Sequence, residues 1–166
     1  MTSLNELKIE LKNIISDKES SPHKILKNFT QYLQKDSEKY SWVGFYHMND
    51  TNQTLHLGQY TGKETDHTVI PYGRGICGQV AVSGHTYIAK DVTAESNYIA
   101  CSLDVRSEIV VPIYYKNELV AQLDIDSSQV NAFNEDDRKM LEEVCAFIGT
   151  VLGHAMKFEK VENQTL

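Results

Sequence analysis

The sequence predicts an α+β domain, an antiparallel sheet with helices packed on one face, and three observations carry that prediction. Apolar residues recur at helical spacing at both ends of the chain. Between those ends the pattern changes to runs of aromatic and β-branched residues separated by short turns. With 166 residues the chain suits one compact domain rather than two.

Residues 1–39 form a helical segment of that domain. Leu4, Leu7, Leu11, Ile14 and Ile15 make one apolar stripe, with Glu6, Lys8, Glu10 and Lys12 on the other face. Ser21-Pro22 then marks a second helix start, followed by Ile25, Leu26, Phe29, Tyr32 and Leu33 on one side. These stripes pack on a sheet or on a partner chain.

Residues 40–157 carry the sheet and a closing helix, and 158–166 read as a polar tail. Trp42 to Met48 and Thr54 to Gly58, joined by Asn49-Asp50-Thr51-Asn52, predict a β-hairpin. His67 to Pro71 is a short strand leading into Tyr72-Gly73-Arg74-Gly75-Ile76-Cys77-Gly78, a glycine-rich turn able to bring backbone N–H groups close to an anion. A short helix from Gln79 to Ser83 closes at Gly84, and Thr86 to Ala89 is a strand. The connection from Asp91 to Arg106 is long enough to expect a functional loop, and Cys101 sits in it.

Ser107 to Tyr115 and Leu119 to Ile125 are strands around the turn Lys116-Asn117-Glu118. Period-two alternation puts Asp124 and Asp126 on one face, where like charges must be exposed, paired or functional. Asn134 caps a last helix whose first turn is acidic, and Met140, Leu141, Val144, Cys145, Ile148, Val151 and Leu152 form its apolar stripe. Cys145 is therefore a core residue.

Composition excludes several classes of function. A net charge of −7 without a basic cluster argues against nucleic acid. No apolar run approaches the ~20 residues that span a bilayer, and the polar start is no signal peptide, so a soluble cytoplasmic protein is expected. Three scattered cysteines, Cys77, Cys101 and Cys145, make neither a disulfide scaffold nor a zinc spacing, and they leave redox or nucleophilic chemistry open.

In their order along the chain, the glycine loop, Lys90-Asp91-Val92, Asn97-Tyr98-Ile99, Arg106 to Pro112 and Phe133 to Asp137 resemble GAF domains. Within that fold the chain is similar to the free methionine-(R)-sulfoxide reductases. The residues that carry this likeness are Trp42 to Tyr46, Leu57 to Lys63, Gly73 to Gly78, Tyr98 to Cys101, Ser107 to Val110 and Leu123 to Asp126. The resemblance implies Cys101 as nucleophile and Glu108 as proton donor, with Asp124 and Asp126 completing an acidic wall for the substrate ammonium and Trp42 and Tyr46 closing over its methyl group. Cys77, or an outside thiol acting directly, would resolve the sulfenic acid, and a thioredoxin-like dithiol would restore the enzyme, which is expected to be a homodimer. It implies no metal and no organic cofactor.

Three positions depart from the family pattern: His67 replaces its usual third cysteine, Ser102 its usual aspartate after the nucleophile, and Ala121-Gln122 its usual Gly-Val. A non-catalytic GAF module that binds a small molecule or senses redox state is the alternative, with a peroxide-sensing thiol as a third.

Overall fold

A computed structural model describes residues 3–17, 20–99 and 103–164, with side chains described up to residue 157. The chain runs α1 (Leu4–Ser16), α2 (Pro22–Asp36), β1 (Trp42–Asn49), β2 (Thr54–Thr61), β3 (Val69–Pro71), α3 (Gly75–Ser83), β4 (Tyr87–Ala89), β5 (Ser107–Tyr115), β6 (Glu118–Ser127) and α4 (Glu135–Gln164). The strands form a single antiparallel sheet in the order β3-β2-β1-β6-β5-β4. The last strand in the chain, β6, therefore lies in the middle of the sheet.

Local chemistry sets the element ends. Ser3 and Glu6 satisfy each other's backbone N–H groups in a capping box at α1, and Ser21 accepts from the Lys24 N–H ahead of a first-turn proline at α2. At α4, Asn134 Oδ1 accepts from the Asp136 and Asp137 N–H groups while Asp137 Oδ2 accepts from the Asn134 N–H. Lys39 Nζ sits 3.0 Å from the buried Asp137 carboxylate and ties this cap to the end of α2. Lys116 and Asn117 both take positive φ, the conformation that a two-residue hairpin needs to follow the twist of β5 and β6.

Alternation along the central strands separates two packed layers. Val43 and Phe45 of β1, Ile109, Val111 and Ile113 of β5, and Leu123 and Ile125 of β6 face α1, α2 and α4. Phe29, Leu33, Leu141, Val144, Cys145 and Ile148 fill the space between, so Cys145 is a core residue as its stripe predicts. The opposite face carries Trp42, Tyr46, Met48 and Val110 against Ile76, Cys77 and Val80 of α3.

That second layer corrects the expectation of helices on one face only. The α3 helix covers the other face, and it begins at Gly75 rather than Gln79, so Cys77 lies in its first turn. Gly75 starts the helix at φ +65°, which only glycine takes at no steric cost. His67 precedes β3 instead of belonging to it, because β3 pairs with β2 only from Val69 to Pro71. The α4 helix runs to Gln164, through the stretch expected to be a tail. Charged and amide side chains there are good helix formers, and composition alone does not mark them as such.

Candidate active site

The register of three adjacent strands builds the site. Glu108 of β5 pairs with Asp126 of β6, Val110 with Asp124, and on the other side Trp42 and Gly44 of β1 pair with Asp126 and Asp124. All point away from the apolar core, so three acids gather under α3. Glu108 is 6% exposed, Asp124 2% and Asp126 3%. Among the described residues, none of the three forms an ion pair.

Burial of this kind works against charge. Desolvation, followed by the negative charges of Asp124 and Asp126, pushes Glu108 well above the usual carboxylate range. Desolvation lifts Asp124 to about 6, with hydrogen bonds from Cys77 and Glu108 restraining the rise. Asp126 is raised by desolvation and then by Asp124. The cluster therefore holds protons at pH values where exposed carboxyls have lost theirs.

Cys77 faces the acids from above. Its Sγ lies 3.4 Å from Asp124 Oδ2 and 3.9 Å from Glu108 Oε1. Gln122, two residues before Asp124 on the same face of β6, donates from Nε2 to the Cys77 carbonyl at 3.0 Å and fixes the first turn of α3 to the sheet. Within the glycine loop, the N–H groups of Gly73, Arg74 and Gly78 are used on Gly78, Pro71 and Arg74 carbonyls. The expected anion donors of this loop are thus shifted into the first turn of α3.

Two spaces adjoin this cluster. A cavity of about 10 Å³ is lined by Cys77, Glu108, Asp124, His67, Arg74 and Ile99, among others. A wider cleft, about 510 Å³, is walled by Trp42, Lys63, Leu103, Asp104, Arg106 and Asp126 with their neighbours. Gly44 makes room for the indole, since a Cβ there would come within 2.2 Å of the Trp42 ring. The indole stacks on Tyr60 at 5.5 Å and donates from Nε1 to the Lys63 carbonyl at 3.1 Å. Tyr46 lies fully buried beside it and donates its hydroxyl to the His67 carbonyl at 2.9 Å.

The structure thus brings together Cys77, Glu108, Asp124 and Asp126, with Trp42 and Tyr46 alongside. Cys101 lies outside the described residues, together with Ala100 and Ser102. Of its flanks, Ile99 lines the small cavity and Leu103 the cleft. Sequence reasoning missed Gln122 as a site residue, noting it only as a departure from the family pattern; its place two residues before Asp124 was the available signal. Arg74 was part of the glycine loop, but nothing in its spacing pointed it at the acids.

Comparison with known proteins gives a consistent result. A GAF domain family model matches residues 19–152. The chain is 35% identical over 127 residues to the free methionine-R-sulfoxide reductase of Escherichia coli, covering 76% of this chain and 75% of that protein. It is 39% identical over 119 residues to GAF domain-containing protein A of Dictyostelium discoideum, covering 72% of this chain and 73% of that protein. The X-ray structure of free methionine-R-sulfoxide reductase from Neisseria meningitidis in complex with its substrate superimposes with a TM-score of 0.82 at 31% identity, over 98% of this chain and 92% of the other.

Proposed function

The chain belongs to the GAF-domain family of free methionine-R-sulfoxide reductases, and from that premise we propose that it reduces free methionine-R-sulfoxide to methionine at the acid cluster under α3. The observation that carries this reading is the buried set Glu108, Asp124 and Asp126 beside a thiol, three acids without an ion pair among the described residues. Such a set is costly to bury, and a cationic amino-acid substrate that also needs a proton accounts for it.

In this reading the substrate ammonium is held by Asp124 and Asp126, and its carboxylate takes N–H groups from the first turn of α3. Trp42 and Tyr46 supply the apolar wall for the methyl group. The Cys101 thiolate attacks the sulfoxide sulfur while Glu108, kept protonated by its surroundings, gives its proton to the departing oxygen. The oxygen departs as hydroxide and leaves an S–S bond between Cys101 and the methionine sulfur. Hydroxide then adds to the Cys101 sulfur, methionine leaves with the S–S electron pair, and Cys101 is left as a sulfenic acid. The Cys77 thiol then attacks that sulfur, releasing water and forming a disulfide, which an external thioredoxin-like dithiol reduces by exchange. We extend the proposal to a homodimer working in the cytoplasm. The family resemblance supports these last points, and no helix of the described residues is long and apolar enough to cross a membrane.

The deciding experiment measures methionine released from each epimer of free methionine sulfoxide, with dithiothreitol as reductant, for the native protein, Cys101→Ser and Glu108→Gln. Release from the R epimer alone is expected, abolished in Cys101→Ser and reduced roughly 10²–10⁴-fold in kcat by Glu108→Gln. No release from the R epimer, with methionine still raising the melting temperature, would overturn the reading in favour of a binding module.

A further inference from the structure

We propose that Cys77 Sγ, Glu108 and Asp124 also form a binding site for one thiophilic divalent cation of the zinc class, and that the occupied site is closed to substrate. Only the second half rests on the reductase reading. The three ligand atoms lie within 4.8 Å of one another and are all buried. A tetrahedral ion with S and O ligands at about 2.3 and 2.0 Å holds those atoms about 3.5 Å apart. The observed Sγ to carboxylate distances, 3.4 and 3.9 Å, bracket that value.

An independent feature also points to a ligand. Asp124 Oδ1 is buried without a hydrogen-bond partner, and Asp124 lines a cavity of about 10 Å³, room for roughly one ion or one water. Arg74, the cationic side chain on that cavity, forms no ion pair with Glu108 or Asp124. A divalent ion would supply the missing positive charge, with the thiol and carboxyl protons passing to solvent as it binds.

The donor set selects the metal. One thiolate with two carboxylates suits zinc, cobalt or cadmium, and the thiolate disfavours magnesium and calcium. Three protein donors leave a fourth position for water, the arrangement of an open zinc site. The donors stand on β5, β6 and the first turn of α3, which Gln122 fixes to the sheet, so they need no large rearrangement to meet. Such an ion would take both Glu108 and Asp124 out of substrate binding and proton transfer, making it an inhibitor and not a cofactor.

Cobalt(II) makes this visible, because a thiolate bound to it gives a charge-transfer band in the near ultraviolet. Titration of the reduced full-length protein should show one equivalent bound, displaced by zinc and retained in Cys101→Ser and Cys145→Ser. The band should vanish in Cys77→Ser. Asp124→Asn and Glu108→Gln keep the side-chain shapes and should weaken binding by at least the roughly 10–100-fold that loss of an outer partner costs. No band, a band that survives Cys77→Ser, or affinities unchanged in both carboxamide variants would overturn the site. A protein that gives the band on titration with cobalt(II), yet releases no methionine when assayed before any metal is added, would sink the reductase reading alone and leave the metal site standing.

Discussion

The two faces of the sheet are made by the same strands, residue by residue in alternation, and they have opposite characters. On β6, Leu123 and Ile125 pack against α4 and the N-terminal helices, while Asp124 between them lines the small cavity under α3 and Asp126 after them lines the wide cleft. One face gains free energy from every methyl group it buries. The other buries three carboxyl groups without an ion pair among the described residues, and gives up stability to hold them protonated. Fold and chemistry are thus separated by a single peptide step, and neighbouring substitutions should act with opposite sign.

The largest effect belongs to the apolar face. Leu123→Ala removes a fully buried side chain from the centre of the core and should cost about 2–5 kcal/mol in urea unfolding. Substrate affinity of the molecules that remain folded should be unchanged. If KM rose with the loss of stability, the two faces would not be separable.

The acid face should show itself in the pH dependence of stability. Asp124 binds its proton more tightly folded, at about 6, than at the ordinary 3.8, and Glu108 and Asp126 are raised in the same direction. The native state therefore holds more protons than the unfolded chain above pH ~4, and stability must fall as pH rises through that window and beyond 6. Urea midpoints should be higher at pH 5 than at pH 7.5, with a difference of a few kcal/mol at most. A flat profile would mean that the carboxyls are ionised and paired.

Asp124→Asn isolates one member of this set. The amide cannot ionise, so the variant should gain about 1 kcal/mol at neutral pH and narrow the difference between pH 5 and 7.5. It should also lose substrate affinity, a stabilisation achieved at the expense of the site. Loss of stability instead would show that Asp124 organises the fold as well as the pocket.

Much of this division could be read from the chain, and the limits have physical causes. Asp124 and Asp126 were placed on one face by alternation alone, and the β5–β6 hairpin by its turn, which is one residue shorter than the expected Lys116-Asn117-Glu118 because Glu118 already belongs to β6. That Glu108 would join them depends on the pairing of β5 with β6, which residue spacing does not state; the family resemblance supplied it. The start of α3 was hidden because Gly75 and Gly78 have poor helix propensity, and tertiary contacts override it. Gln122 looked like a packing change because its role, bonding the Cys77 carbonyl, exists only once α3 has folded over the sheet.

The smallest effect should come from a contact that belongs to neither face. Lys63, after β2, and Asp104, ahead of β5, form an ion pair 2.5 Å long between two walls of the wide cleft, and both side chains are mostly exposed. An exposed pair of this kind contributes about 0–1 kcal/mol, because water and salt already stabilise the separated charges. Lys63→Ala should therefore leave the urea midpoint nearly unchanged. Any effect on KM should be within about threefold and should disappear near 1 M salt, where the screening length falls to about 3 Å. A large change in KM that persisted at high salt could not be electrostatic. It would mean that the lysine stem holds Trp42 and the cleft wall in place by packing, and the acid face would then extend beyond the three strands that build it.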